Sequence, residues 1–250
     1  MSTKRMAMLD RPGKVDVWLL PFSEMNATVH QWCMPLLDAA ERVQAGRFLL
    51  DKPRDQYVVS RAMVRQVLAD YLGIPPLSLS FARNDHGRPH IASPRQAMGL
   101  HFSLSHTEGL IALAVALVPA VGLDVETVNR EADVEGIACH YFSAFEWDAL
   151  RLLDGWAQRE AFLALWTVKE AYIKACGKGL SIPLNGFAVQ LLPQSARLLH
   201  NSDEIEAAKN WRFFRQRPLP DHLLAVAAAL DHADTLDCRV RWFDIQGVTS

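Results

Sequence analysis

The sequence predicts an α+β protein made of two similar halves, and three observations carry that expectation. Helical patterns followed by strand patterns occur twice, once before and once after residue 120. The most apolar run, Leu110 to Leu123, is interrupted at Pro119-Ala120 and so reads as two core strands. Charge is unevenly divided: residues 1–100 carry 13 Lys+Arg against 9 Asp+Glu, and residues 101–250 carry 13 against 19. The expected subdomains are therefore residues 1–119 and 120–250. A cleft between them would set cations from one side against carboxylates from the other, as a polyphosphate and its counter-ion require. At 250 residues, 50% of them hydrophobic and 22% charged, the chain can bury one large core or two modest ones.

The elements follow in order. Val15 to Pro21 reads as an opening strand closed by proline. Asp38 to Leu49 is an amphipathic helix, with Leu37, Ala40, Val43 and Phe48 set among Glu41, Arg42, Gln44 and Arg47. A second helix runs from Pro53 to Tyr71 and ends at Gly73, with Arg54, Arg61 and Arg65 expected on its surface. Leu77 to Phe81 is strand-like, Asn84-Asp85-His86-Gly87 is turn chemistry presenting Arg88, and Phe102 to Ser105 is a short strand leading to His106. In the second half, Ser143-Ala144-Phe145-Glu146 is a capping box opening a helix to Leu153. A long helix covers Arg159 to Cys176, and Phe187–Leu192 and Leu223–Leu230 read as strands.

Two motifs carry chemistry. Gly122-Leu123-Asp124-Val125-Glu126 places two carboxylates at i and i+2 of an extended segment, on one face and about 6.5 Å apart at Cα. In so apolar a context the pair needs a cation, and Mg²⁺ fits because it takes one or two carboxylates and completes its shell with water and phosphate oxygens. Such a pair also fits the solvated face of an ordinary strand. The second motif, Trp166-Thr167-Val168-Lys169-Glu170-Ala171-Tyr172-Ile173-Lys174, stacks Glu170 and Lys174 at i, i+4 on a helix capped by Gly177. By itself this motif also fits a salt-bridged surface.

Together, G-x-D-x-E followed by W-x-x-K-E-A-x-x-K and Gly177-Lys178-Gly179-Leu180 resembles the 4′-phosphopantetheinyl transferases of the Sfp-like branch. Upstream, Asn84-Asp85-His86-Gly87-Arg88-Pro89 is similar to that family's G-K-P loop with Arg for Lys, and Phe102-Ser103-Leu104-Ser105-His106 to its F-N-L-S-H segment. The resemblance implies a pseudo-dimer of two α/β subdomains. It also implies transfer of 4′-phosphopantetheine from coenzyme A to a serine of an apo acyl or peptidyl carrier protein, releasing adenosine 3′,5′-bisphosphate. It makes Asp124, Glu126 and Glu170 ligands of Mg²⁺, and Glu170 and Lys174 the catalytic pair. Arg47, Arg54, Arg88, Ser105, His106, Lys169 and Lys174 become candidate coenzyme contacts. Glu41, Gln44 and Gln56 depart from the family pattern, standing where basic residues are common.

Other classes fit less well. A Mg²⁺-dependent nucleotide hydrolase would want a phosphate loop before a helix, whereas Gly177-Lys178-Gly179 follows one and lacks the upstream glycine. A non-catalytic module binding carrier proteins would not need all three acids. A net charge of −2 without a basic aromatic stripe argues against nucleic acid. Cys33, Cys139, Cys176 and Cys238 are scattered, as reduced thiols are, and no apolar run is long enough for a membrane. The polar break at Asp10 to Gly13 leaves no secretory segment, so a cytoplasmic monomer is expected.

Overall fold

The computed structural model describes residues 9, 13–97, 99–131, 133–200, 210–231 and 235–245. Apart from Leu9, the leading segment 1–12 behind the cytoplasmic reading lies outside the described residues. The first half contains β1 (Lys14–Phe22), α1 (Ala27–Cys33), α2 (Ala39–Ala45), α3 (Asp51–Leu72), β2 (Ser80–Arg83), β3 (Pro89–Ser93), β4 (His101–Thr107) and β5 (Gly109–Ala116). The second repeats the order with β6 (Val121–Thr127), α4 (Val134–Tyr141), α5 (Ala144–Leu150), α6 (Gly155–Cys176), β7 (Phe187–Leu192), β8 (Ser195–His200), β9 (Trp211–Leu219) and β10 (His222–Ala229). A final strand, β11 (Asp237–Trp242), returns to the first half and runs parallel to β1.

The sheets repeat as well. One is ordered β11-β1-β5-β4 and the other β6-β10-β9, so each half's first strand pairs with its last and that last strand pairs with the one before it. Each half also carries a separate hairpin, β2-β3 or β7-β8. One face of each sheet packs on its own long helix: Ile111, Leu113 and Val115 meet the α3 residues Val59, Met63 and Val67, and Leu223, Ala225 and Ala227 meet α6. The opposite faces form a shared apolar seam in which Val15, Val17 and Leu19 lie with Val121, Leu123 and Val125. A strand with both faces covered reads as a continuous apolar run, which is why Leu110–Leu123 dominates the hydropathy.

The long helices match residue for residue in design. Each spans 22 residues and ends on a left-handed glycine, Gly73 (φ 66°) or Gly177 (φ 68°), the cap that leaves a terminal carbonyl bonded without a Cβ penalty. Each carries a fully buried cation at its fifteenth residue, Arg65 or Lys169. Arg65 was expected on the surface. Instead its Nε donates to Glu41 (2.6 Å), another nitrogen meets Asp38, and Nη1 donates to the carbonyls of Leu79 (2.9 Å) and Pro76 (3.1 Å). Glu41 closes the Asp38 capping box of α2, so its departure from a basic residue is explained: it neutralises Arg65 and, at 2.7 Å, Arg61.

Helix α2 stops at Ala45, earlier than expected, because Gly46 ends its hydrogen bonding, and α6 starts four residues before Arg159. The strand expected at Leu77–Phe81 begins at Ser80, since Pro75 and Pro76 enforce a 3-10 turn first. Helices α1 and α4 and strands β3, β8, β9 and β11 have no counterpart in the sequence reading.

Candidate active site

Backbone packing brings the two motifs together. Gly122 faces α6 so closely that a Cβ there would lie 2.0 Å from the Ala171 carbonyl oxygen and 2.4 Å from the Ala175 nitrogen, so only glycine admits this approach of strand to helix. Two and four residues on, Asp124 and Glu126 leave the same face of β6 toward α6, and Glu170 and Lys174 meet them from the helix. The outer edge of β6 is held from the other half. Ser103 Oγ accepts from Leu123 N (2.9 Å), Ser105 Oγ from Val125 N (3.4 Å) and Thr107 Oγ1 from Thr127 N (3.3 Å). A row of alternate hydroxyls on β4 thus supplies the acceptors that a neighbouring strand would have supplied.

Asp124 is 5% exposed. Its Oδ1 accepts from Lys174 Nζ (2.7 Å) and Ser105 Oγ (2.7 Å), while its Oδ2 is buried with no hydrogen-bond partner. Lys174 Nζ also donates to Ser105 Oγ (2.9 Å). Burial, then the neighbouring Asp124 charge, pushes Glu126 up to about 7 against the pull of Arg130 and Lys174. The same two causes raise Glu170. Arg130 forms an ion pair with Glu126 and lies 5.7 Å above the Trp166 ring, giving the motif tryptophan a local task. The cation that the acids need is therefore only partly supplied by the protein itself.

That shortfall tests the fit to Mg²⁺. An unpartnered buried carboxylate oxygen and two carboxyls that resist ionisation beside it are what a hard cation would relieve. Among the described residues no three His, Cys, Asp or Glu side chains form a cage by themselves.

Above the acids opens a cleft of about 490 Å³ between α3, the β2-β3 loop, β4 and α6. Glu170, Lys174, His106 and Arg88 line it, together with Tyr57 and Arg61. His106 stands at the wall, its imidazole held below the usual range by burial and then by Lys174. Several expected coenzyme contacts lie elsewhere. Lys169 is fully buried, its Nζ donating to both Glu146 oxygens (2.6 and 2.7 Å) and to the Phe187 carbonyl (2.9 Å), because it projects away from Glu170 into the α5–β7 junction. Arg47 is exposed outside the cleft lining, with only a 3.4 Å contact to Gln44. Arg54 also lies off the lining and pairs with Asp51 (2.8 Å) and Asp55 (3.2 Å). Ser105 faces the seam, with its hydroxyl committed to Asp124 and Lys174. Gln56 lines the cleft and donates to the Thr107 carbonyl (3.2 Å).

Sequence reasoning missed Arg130, Thr107 and Tyr57. A signal for Thr107 was present: Ser103, Ser105 and Thr107 form a period-two row of hydroxyls in an otherwise apolar strand.

Comparison with known proteins agrees with this geometry. The profile of the 4′-phosphopantetheinyl transferase superfamily matches residues 120–227, and that of the 4′-phosphopantetheinyl transferase N-terminal region matches 24–117. A 4′-phosphopantetheinyl transferase of Bacillus subtilis is 30% identical over 205 residues, covering 82% of this chain and 86% of its own length. The chain belongs to the 4′-phosphopantetheinyl transferase superfamily, in its Sfp-like branch. The transferase is also 28% identical over 216 residues to HetI of Nostoc sp., covering 86% of this chain and 88% of that one. Sfp of Bacillus subtilis is 30% identical over 158 residues, covering 63% and 68%. Among solved structures, a holo-(acyl-carrier-protein) synthase from Bacillus anthracis in complex with CoA (3′,5′-ADP) covers 45% of this chain and 96% of its own, at 18% identity and a TM-score of 0.38. As a member of this family the transferase uses coenzyme A to modify carrier proteins.

Proposed function

We propose that the transferase moves 4′-phosphopantetheine from coenzyme A to a serine hydroxyl of an apo carrier protein with Mg²⁺ held by Asp124, Glu126 and Glu170. The observation that carries this reading is the Lys174–Asp124 ion pair beside Glu126 and Glu170, both with raised proton affinity, with Asp124 Oδ2 left unpartnered and with Glu170 and Lys174 lining the cleft. When bound, Mg²⁺ would neutralise charge on the pyrophosphate. The remaining work falls to the chain itself, since phosphoryl transfer asks mainly for positioning and charge compensation.

Lys174 reaches the cleft from the last turn of α6 and would contact phosphate while remaining anchored on Asp124. Glu170, one helical turn earlier, would take the serine proton directly or through a water. Burial and then the Asp124 charge raise its proton affinity above that of an ordinary carboxyl. His106 would donate to the pyrophosphate from the cleft wall, and Arg88 and Arg61 would add cationic character at the rim. The first subdomain comprises residues 1–119 together with the returning segment 237–245, which corrects the expected 120–250 boundary because β11 pairs with β1; one chain supplies both walls of the cleft, so the transferase would act as a monomer. No helix among the described residues is long and apolar enough to cross a membrane, and we place the protein in the cytoplasm, free of nucleic acid.

The test is to incubate the protein with Mg²⁺, coenzyme A and a panel of apo carriers and follow carrier mass. A gain of one phosphopantetheine that disappears on chelation supports the reading. Turnover that survives exhaustive chelation contradicts the metal assignment.

A further inference from the structure

We infer that Arg88 is a positioning residue whose guanidinium brackets the two chain segments carrying the acids and Lys174. Its Nη1 donates to the Ala175 carbonyl at 2.9 Å, and its Nη2 donates to the carbonyls of Val121 (2.9 Å) and Pro119 (3.2 Å). Ala175 directly follows Lys174, and Val121 directly precedes the Gly122-x-Asp124-x-Glu126 strand. One planar fork therefore spans both segments at the point where they leave the active site.

The bracket is itself fixed. Asn84 Oδ1 accepts from the amides of His86 (3.0 Å) and Arg88 (2.9 Å), while Asn84 Nδ2 donates to the Gly177 carbonyl (2.8 Å). The β2-β3 loop is thus pinned to the end of α6. The Arg88 stem lies against Gly177, where a Cβ would meet Cδ at 3.0 Å. Burial lowers the Arg88 pKa, as expected of a half-buried guanidinium set among carbonyls at the edge of the cleft. Gly122 sets the strand-to-helix spacing from within, and Arg88 fixes it at the end. A lysine keeps the charge but has a single nitrogen in place of a planar fork, so it cannot hold the helix carbonyl and the two strand-entry carbonyls in this geometry.

The catalytic consequence rests on the function proposed above, whereas the bracket does not. The experiment reads them separately in Arg88→Lys and Arg88→Met. Hydrogen exchange read by mass spectrometry should quicken at least about 5-fold in peptides spanning residues 117–127 and 170–180, with α3 unchanged. In Arg88→Lys, kcat should fall at least about 10-fold while the calorimetric Kd for coenzyme A stays within about 3-fold. Unchanged exchange in those peptides, or a uniform rise across the chain, overturns the bracket. So does a Lys variant with parental kcat beside a Met variant that has lost coenzyme affinity, which is the pattern of a plain phosphate ligand. If the parent modifies no carrier, the proposed function fails and the exchange data still decide the bracket. Should Arg88→Met not fold, the conservative variant carries both readouts.

Discussion

The two halves of the molecule use the same scaffold and differ in what is placed on it. In each, the third residue of a short helix is a capping-box glutamate, Glu41 or Glu146, that reaches the buried cation at the fifteenth residue of the long helix. In each, that cation also lies over a phenylalanine of the following hairpin, Arg65 at 5.2 Å from the Phe81 ring centre and Lys169 at 4.2 Å from that of Phe187. The difference begins one residue later. The sixteenth and twentieth residues are Gln66 and Asp70 in α3, joined by a 2.8 Å hydrogen bond, but Glu170 and Lys174 in α6. On the strand beneath, the helix-facing residues are Asp16, Trp18 and Leu20 in β1, and Gly122, Asp124 and Glu126 in β6. The buried ion pair belongs to the scaffold, and the proposed site belongs to the residues around it in one half only.

This comparison can be broken most forcefully at Gly122. Gly122→Ala forces a Cβ into the backbone of α6 and should cost more than about 3 kcal/mol or prevent folding. Urea melts of the variant beside Gly46→Ala, where the nearest atom would be 3.5 Å from the added Cβ, provide the measurement and its control.

The buried cations come next. Lys169→Met leaves Glu146 without its cation and should destabilise by about 3–5 kcal/mol. Arg65→Met should cost less, because Glu41 keeps Arg61 at 2.7 Å. Equal costs in urea titrations would show that Arg61 does not compensate Glu41. The apolar double variant Glu146→Leu with Lys169→Met should recover much of the loss, as replaced buried ion pairs often do.

A smaller effect follows from Glu126. Its folded-state pKa of about 7 lies above its ordinary 4.5, so the native state holds the proton more tightly than the unfolded state. The Glu126 contribution to metal-free stability, read as the difference from Glu126→Gln, should therefore be fullest below about pH 4.5 and be lost as pH rises through 7. Added Mg²⁺ should raise Tm at pH 8 and leave it nearly unchanged at pH 5, since protons compete for the same carboxyl. Thermal melts across that range measure both. The least effect is expected from Thr107→Val, which removes one rung between the halves and should cost about 1 kcal/mol.

Much of this was legible in the chain. The acid strand, the capping box at Ser143, the left-handed cap at Gly177 and the site helix rest on local rules of spacing and turn chemistry, and all four are present, with the site helix starting four residues early and the Ser143 helix ending at Leu150 instead of Leu153. Lys169 and Arg65 did not, because helical periodicity assigns cations to a surface and cannot register a glutamate that folds back from a preceding helix. Arg88 was read through the family resemblance as a coenzyme contact, and spacing could not show that its fork also holds carbonyls 31 to 87 residues distant in sequence. Strand β11 was invisible for a related reason: its partner, β1, lies at the other end of the chain.

The central claim is that one half carries the chemistry on a scaffold both halves share, and the matched sixteenth residues of the two long helices test it most directly. Carrier modification should be measured for Glu170→Gln and Gln66→Ala, with calorimetry of coenzyme A binding alongside. The account predicts a fall of at least about 10²-fold in turnover for Glu170→Gln with coenzyme affinity retained, and a change under about 2-fold for Gln66→Ala. Near-parental turnover in Glu170→Gln, or comparable losses in both variants, would contradict it.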